Sequence, residues 1–485
     1  MLTVLGRPQR VCNGLTRRKL LELGGAGLFG LSLPNVLSAE AIQRPRQARA
    51  KSVMFIFLFG GPSQLETFDM KPDAASGIRG PFKPIASRTP GLAICEHLPR
   101  LAQASDRYCV IRTLNHNQND HNGCHYIQTG HPLPPADRGA ANVDATDKDW
   151  PAMGSIVEYL DRRAAGGNPR MVPSYVYLPK RLGHFAGYNY SGQYAGWLGR
   201  AYNPVATDIR KRDATDNPYY RPCTDDELDF RLAGLVTPPE LTLDRLDRRK
   251  SLLEQFDAGR RQLDQSPAVR DFQRLRQQAL TMVTSQRMRL AFDIRRETDG
   301  LRDRYGRNLF GQSALMGRRV IEAGARFVTV LWDVAVRGSN FAGWDSHEGL
   351  AGTLKDHLLP GLDQGLSALL DDLDDRGLLD ETLVVCVGEM GRTPKFENRG
   401  NSDGRDHWSF CFPCLLAGGG IRGGTTYGRS DKDAAHPIER PVSPEDLACT
   451  IFGALGIDPH QFIPDKQGRP QALVHGGRSL EELFA

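Results

Sequence analysis

Along this chain the apolar residues gather into short continuous runs, separated by polar stretches with helical spacing. The clearest runs are 53–59, 108–111, 175–178, 327–332, 383–387 and 412–417. Continuous rather than alternating hydrophobicity predicts strands covered on both faces, the pattern of a parallel sheet between layers of helices. The expected fold class is α/β, with a doubly wound, mainly parallel sheet. Several runs end in glycine or polar residues, as in Phe59-Gly60-Gly61-Pro62-Ser63 and Val387-Gly388-Glu389. Ligands in such folds bind beyond the carboxyl ends of the strands, so chemistry is expected there.

Between the fourth run and the loop-like, Pro- and Asp-rich residues 131–150, the pattern changes. Residues 237–319 read as long charged helices: Thr237-Pro238-Pro239-Glu240 gives a cap with proline in the first turn, and Leu252, Leu253 and Phe256 follow at helical spacing. A helical insertion in one α/β domain spanning 42–485 is the expectation. A further helix should begin at Ser443, where Ser443-Pro444-Glu445-Asp446 precedes Leu447, Ile451 and Leu455.

The first forty residues are polar and basic before they are apolar. Thr16-Arg17-Arg18-Lys19 leads into eleven uncharged residues, 23–33, and then a small-x-small site at Ala39-Glu40-Ala41. Eleven residues are too few to cross a bilayer, which takes about 20. The pattern predicts a twin-arginine signal peptide over 1–41, removed on export, with no stable membrane span left after cleavage. The expected location is periplasmic or secreted. That segment carries five basic and two acidic side chains, leaving 57 basic against 55 acidic on the rest. Such near balance excludes a nucleic-acid partner, which needs a clustered basic excess. Eight cysteines remain beyond the signal, at spacings that form no disulfide framework. Cys411 and Cys414 sit in an apolar run and read as small buried hydrophobes.

Four stretches carry the candidate chemistry. Gly60-Gly61-Pro62-Ser63-Gln64-Leu65-Glu66 follows the first strand, where two glycines let backbone approach an anion. Residues 116–131 hold four of the twelve histidines, His116, His121, His125 and His131, and His121 and His125 would share one face of a helix. The third stretch is Gly343-Trp344-Asp345-Ser346-His347-Glu348. The fourth pairs Gly388-Glu389-Met390-Gly391-Arg392-Thr393-Pro394 with Gly404-Arg405-Asp406-His407-Trp408. Carboxylates and imidazoles converging from separate loops suit a divalent cation.

At these residues the chain resembles an exported domain-of-unknown-function family, number 1501, of the alkaline phosphatase and sulfatase clan. The resemblance lies in GGPSQLETFDMKP, GWDSHEGL, LLPGLDQGLSALLDDLDDRGLLDETLVV, GEMGRTPKF, GRDHW and LLAGGGIRGG, which span almost the whole mature chain. It implies a large doubly wound sheet with a metal-dependent site at the strand ends. It further implies that Asp345 and His347 match a late ligand segment, that Glu389 falls at a ligand pair, and that Asp406 and His407 match the final ligand. Asp120 and His121 lie about where sulfatases place their modified nucleophile. The chain departs from the clan where Gly60-Gly61 replace acidic ligands, and where Cys124 falls on a position the sulfatase pattern gives to Arg. A covalent mechanism through the usual residue is therefore not expected.

The resulting expectation is a metal-dependent hydrolase of sulfate or phosphate esters, acting on a small-molecule or polysaccharide ester. Asp345, His347, Glu389, Asp406 and His407 would hold zinc, manganese or calcium, and the cation would activate a water. His121 and Asp120 would supply acid–base chemistry, and Arg392 and Arg405 would clamp the anion. The rival expectation is a non-catalytic binding module for a sulfated or phosphorylated envelope polymer. Nothing in the sequence fixes an oligomeric state.

Overall fold

The structure is a computed structural model that describes residues 47–134, 143–167, 170–232, 285–336, 343–399 and 402–485. The expected signal peptide and residues 237–284 of the expected insertion lie outside the described residues. A nine-stranded sheet forms the centre. Its strands, in chain order, are β1 (Ser52–Leu58), β2 (Tyr108–Leu114), β3 (Tyr175–Leu178), β4 (Val205–Asp208), β5 (Arg231–Leu232), β6 (Phe327–Trp332), β7 (Thr382–Val387), β8 (Phe412–Ala417) and β9 (Thr425–Tyr427). Across the sheet they run β9-β2-β8-β7-β1-β6-β3-β4-β5. β1 lies in the middle, parallel to β6 on one side and β7 on the other.

The helices used below are α1 (Gly123–Thr129), α2 (Met153–Ala164), α3 (Leu309–Glu322), α4 (Leu359–Asp375) and α5 (Pro444–Ala454). They divide between the two faces of the sheet, as the continuous apolar runs require. Met54, Ile56 and Leu58 of β1 join a core with α3 and α4. Val53, Phe55 and Phe57 join the opposite core with α1, α2 and α5. Each fully buried Val, Leu or Phe is worth about 1.5–3 kcal/mol, so both faces contribute on a similar scale. The sheet is thus α/β and mainly parallel, with helices on both faces.

One strand departs in direction from the parallel pattern that its hydrophobicity suggested. The run 412–417 is a strand, but β8 is antiparallel to both β2 and β7. Its continuous hydrophobicity reflects cover on both faces and carries no information on direction. The C-terminal part of the expected insertion packs on the sheet: α3 leads directly into β6, and Phe310, Leu315 and Met316 are buried in the core. The helix at Ser443 forms as expected. Ser443 Oγ accepts from Asp446 N at 3.1 Å, and Ser443 N donates back to the Asp446 carboxylate at 3.0 Å. That reciprocal cap, with Pro444 in the first turn, sets where α5 starts.

This topology concentrates polar residues at one end. β1, β2, β6 and β7 all point their carboxyl ends there, and the antiparallel β8 begins there. The turns after Leu58, Leu114, Trp332 and Val387, and the segment leading into Phe412, therefore meet.

Candidate metal centre

Two close backbone approaches bring the loops together. Gly60 has φ of 111°, and a Cβ there would lie 2.3 Å from the backbone nitrogen of Asp345. Only glycine lets residues 344–345 lie across the end of β1. An acidic residue in place of Gly60 is sterically impossible, and Asp345 stands over the position instead. A Cβ on Gly404 would fall 1.6 Å from the carbonyl oxygen of His347. That contact seats the segment before His407 directly on the His347 loop.

Asp345 is the hub. Its Oδ1 lies 2.9 Å from His347 Nε2 and 3.2 Å from His407 Nε2, and the two nitrogens are 3.1 Å apart. Its Oδ2 lies 3.2 Å from His121 Nε2, while His121 Nδ1 reaches Glu389 Oε1 at 2.9 Å. Arg392 Nη2 donates to Asp345 Oδ1 at 2.5 Å. Donor atoms of His121, Asp345 and His407 all fall within 4.8 Å of one another. The three side chains are 16–26% exposed, so the group faces solvent rather than the core.

The remaining residues have definite places. Glu389 is fully buried and accepts from Gly60 N on both oxygens, at 2.9 and 3.1 Å. The anion that the paired glycines approach is therefore the protein's own carboxylate. Asp406 lies behind the cluster, its Oδ1 2.5 Å from His347 Nδ1. It orients that imidazole instead of joining the three-atom group. Asp120 turns away: its carboxylate accepts from Asn122 N and Gln118 Nε2, closing the turn before α1. Arg405 also stands apart. Its Nε and Nη2 pair with Glu66, Nη2 also donates to Ile78 O, and Nη1 donates to the carbonyls of Thr393 and Pro394. A guanidinium has five N–H groups, so none remains for a substrate anion, which corrects the clamp expected of it. Arg392 turns four of its five N–H groups to Asp345 and to the carbonyls of Gly60, Gly61 and Arg405. It too is a structural member of the site.

The histidine-rich segment separates by role. His121 lies just before α1, not on it, so it shares no helix face with His125. His125 Nδ1 meets Ser191 Oγ at 2.7 Å, and Ser191 donates to Asp149. His131 stacks on Trp150 at 3.7 Å, with Nε2 on Leu473 O. His116 is buried under the site, with Nε2 2.7 Å from the carbonyl of Glu389. Burial holds His116 down at about 4 and His131 down at about 3. Sequence reasoning missed Asp333, a fully buried acid directly after β6 that accepts from Gly183 N and Val334 N. Its signal was present: a lone Asp following an apolar strand at the carboxyl end of the sheet.

Electrostatics polarise the cluster. Burial pushes the Asp345 carboxyl up, but the Arg392 guanidinium and three imidazoles outweigh it and hold the acid far below its ordinary range. Burial likewise pulls His121 down, yet its bonds to Asp345 and Glu389 win and push it up to about 9. His407 falls to about 4, through burial opposed by Asp345 and reinforced by Arg392. The donor set fits a metal. Asp345 Oδ1, His347 Nε2 and His407 Nε2 form a triangle of 2.9, 3.1 and 3.2 Å edges. Tetrahedral ligands at about 2.0–2.1 Å from zinc stand about 3.3 Å apart.

Fold and site together define a mainly parallel α/β protein with an imidazole–carboxylate cluster at its strand ends. The chain belongs to the family described as protein of unknown function (DUF1501), which matches residues 50–484. No curated protein matches it. It is similar to a solved phosphonate monoester hydrolase, SpPMH from Silicibacter pomeroyi, at 14% identity over 90% of this chain and 76% of that one, with a TM-score of 0.35. It is similar also to the PsFucS1 sulfatase from Pseudoalteromonas sp., at 11% identity over 91% and 72%, with a TM-score of 0.38. The alkaline phosphatase from the Antarctic bacterium TAB5 gives 12%, 79%, 95% and 0.30. Scores in this range add nothing to what the sheet order and the cluster already say. Among the described residues no helix is long and apolar enough to cross a membrane.

Proposed function

We propose that this protein is an exported, metal-dependent hydrolase of sulfate or phosphate esters, small or carried on a polysaccharide. The observation that carries this reading is the solvent-facing triangle of Asp345 Oδ1, His347 Nε2 and His407 Nε2. A nitrogen-rich donor set of this kind suits zinc or manganese better than calcium, which prefers oxygen ligands alone. A divalent cation held there supplies Lewis acidity toward the ester oxygen and makes a water nucleophilic near neutral pH. Asp406 holds the His347 ring with Nε2 turned into the group. His121, spanning Asp345 and Glu389 through its two nitrogens, is placed to pass a proton at the leaving oxygen. Phe59, its ring 5.0 Å from that of His121, forms an apolar wall that limits water beside this imidazole. Export by the twin-arginine route rests on the basic and apolar pattern of residues 1–41.

One observation favours the rival reading, a binding module for a sulfated or phosphorylated polymer. The thiol nearest the cluster in sequence, Cys124, is buried against Ser191 O, and burial pushes it well above the usual thiol range. It cannot act as the nucleophile. The two readings part on one experiment: metal content of the purified protein, followed by turnover of aryl sulfate and aryl phosphate esters with zinc and manganese supplied. Retained metal with turnover is expected. Retained metal without turnover selects the binding module, and no retained metal defeats the metallohydrolase.

A further inference from the structure

We propose that a cavity on the α3 and α4 side of the sheet holds an uncharged sugar ring, so that the ester met at the strand ends is one carried on a polysaccharide. This rests on the hydrolase reading above and narrows its substrate. The cavity measures about 350 Å³ and lies between the Tyr219–Arg221 loop, the turn before α3 and the start of α4. That volume is at the low end for ligand sites and suits one small ring. A π-helical turn, Leu354–Leu358, brings Asp356 and His357 to it. Such turns interrupt the regular bonding of a helix and occur mostly at functional places. The inner wall is firmly seated. Tyr219 stacks on Trp332, the last residue of β6, at 5.7 Å, and a Cβ on Gly361 would lie 2.6 Å from the same indole.

The polar groups around this space are unpaired and of both kinds. The Tyr220 hydroxyl is buried without a partner, and its ring lies parallel to that of His357 at 4.3 Å. Neither the His357 nitrogens nor the Asp356 carboxylate has a hydrogen-bond partner among the described residues. Asn308 uses its oxygen on Gly311 N and keeps Nδ2, while Gln364 uses Nε2 on Asp303 O and keeps Oε1. Donors and acceptors together complement sugar hydroxyls, each of which gives one bond and accepts others. An anion would call for donors alone, and the guanidiniums here are committed elsewhere. Arg221 pairs with Asp216 and Glu227, and Arg307 with Asp299 and Asp303. A sulfated ring would also meet the Asp356 charge. No three metal-ligating atoms converge here among the described residues. The helical residues Leu350–Leu358 run from the His347 loop to the cavity, an advance of about 13 Å at about 1.5 Å per residue. That is the reach of a few sugar units, so one chain spans from an ester at the cluster to an unmodified ring beside Tyr220 and His357.

The test pairs two readouts on the whole protein: ligand-observed NMR with neutral hexasaccharides of galactan, mannan, xylan and glucan, and turnover of an aryl sulfate. At least one hexasaccharide is expected to bind wild type, with or without a chelator. Tyr220→Phe removes one hydroxyl and should weaken that binding about fivefold, the loss of one hydrogen bond, and His357→Ala about tenfold or more. Aryl sulfate turnover should be the same in both variants as in wild type, because so small a substrate does not reach the cavity. Binding by none of the four overturns the proposal. So does binding that both variants leave intact, or that His407→Ala abolishes, since the sugar then sits elsewhere. Turnover without sugar binding sinks this inference and leaves the hydrolase reading standing. Sugar binding at Tyr220 and His357 without turnover supports the cavity and selects the binding module. Should His357→Ala fail to fold, Tyr220→Phe, which changes one atom on a partly exposed ring, decides alone.

Discussion

Arg392 and Arg405 lie on adjoining segments, both completely buried, yet they serve opposite ends. Arg405 closes a knot: it pairs with Glu66, also fully buried, spends every N–H on protein acceptors, and stacks on Phe396 at 3.9 Å. Arg392 borders a cluster that is open on its other side, where Asp345, His347 and His407 keep 16–26% of their side-chain surface exposed. The two regions use the same residue types. What distinguishes them is satisfaction: a filled set of donors and acceptors holds loops, whereas an exposed triangle of acceptor atoms invites a cation. Sequence motifs cannot separate these cases, because GRDHW contains one residue of each kind.

The largest expected effect falls on the closed knot. Glu66→Gln strands the Arg405 charge in a dry site, and losing one partner of a buried ion pair costs about 3–5 kcal/mol. Urea titration should show that loss directly. In the same titration His407→Ala should cost about 1 kcal/mol or less, since partly exposed positions outside the packed core are usually tolerant. Equal losses for the two variants would break the contrast, making the open cluster another structural knot.

Asp333 sharpens the contrast from a third direction, as a buried acid with no counter-ion among the described residues. Burial dominates over the hydrogen bonds from Val334 N and Gly183 N and pushes its carboxyl up to about 7, with the Glu389 charge adding to the rise. In the unfolded chain an aspartate titrates near 3.9. Between about pH 4 and about pH 7 the folded protein therefore binds the extra proton. Stability falls as pH rises through that window and is level above it. At about 1.36 kcal/mol per pH unit the full change is at most about 4 kcal/mol. Asp333→Asn should flatten this slope in thermal melts taken from pH 4 to 8. An unchanged slope would mean that Asp333 is not the group responsible.

Much of the frame was legible because burial on both faces writes itself into sequence as unbroken apolar runs. β3, β6 and β8 sit at their expected bounds, and β1, β2 and β7 differ only at their ends. The edge strands β5 and β9, and β4 beside β5, escaped notice, being short and partly exposed, with little apolar content to mark them. Of the site, residue types and their convergence were readable, since Asp345, His347, His407 and His121 do meet. Their ranks were not. Whether Asp406 touches the open triangle or the far side of His347 depends on a rotamer, and whether Arg405 is free depends on Glu66, 339 positions away. The glycine pair misled in an instructive way. It signals a close approach, but the approaching groups are the Asp345 backbone and the Glu389 carboxylate, not an external ligand.

Asp406 supplies the finest test of the contrast, because it lies one bond outside the open cluster. Its carboxylate at 2.5 Å from His347 Nδ1 fixes the proton there and leaves Nε2 as the lone pair turned toward Asp345 and His407. Such outer partners of a metal-ligating histidine are typically worth about 10–100-fold in metal affinity, or about 1.4–2.7 kcal/mol. Asp406→Asn keeps the shape, removes the charge and permits the wrong tautomer. Zinc affinity by competition with a chelating dye should fall within that range, while the urea midpoint stays near that of the wild type. A variant that loses stability and keeps its affinity would place Asp406 with Glu66, among the residues that close loops, and would move the boundary between the two regions inward to His347 itself.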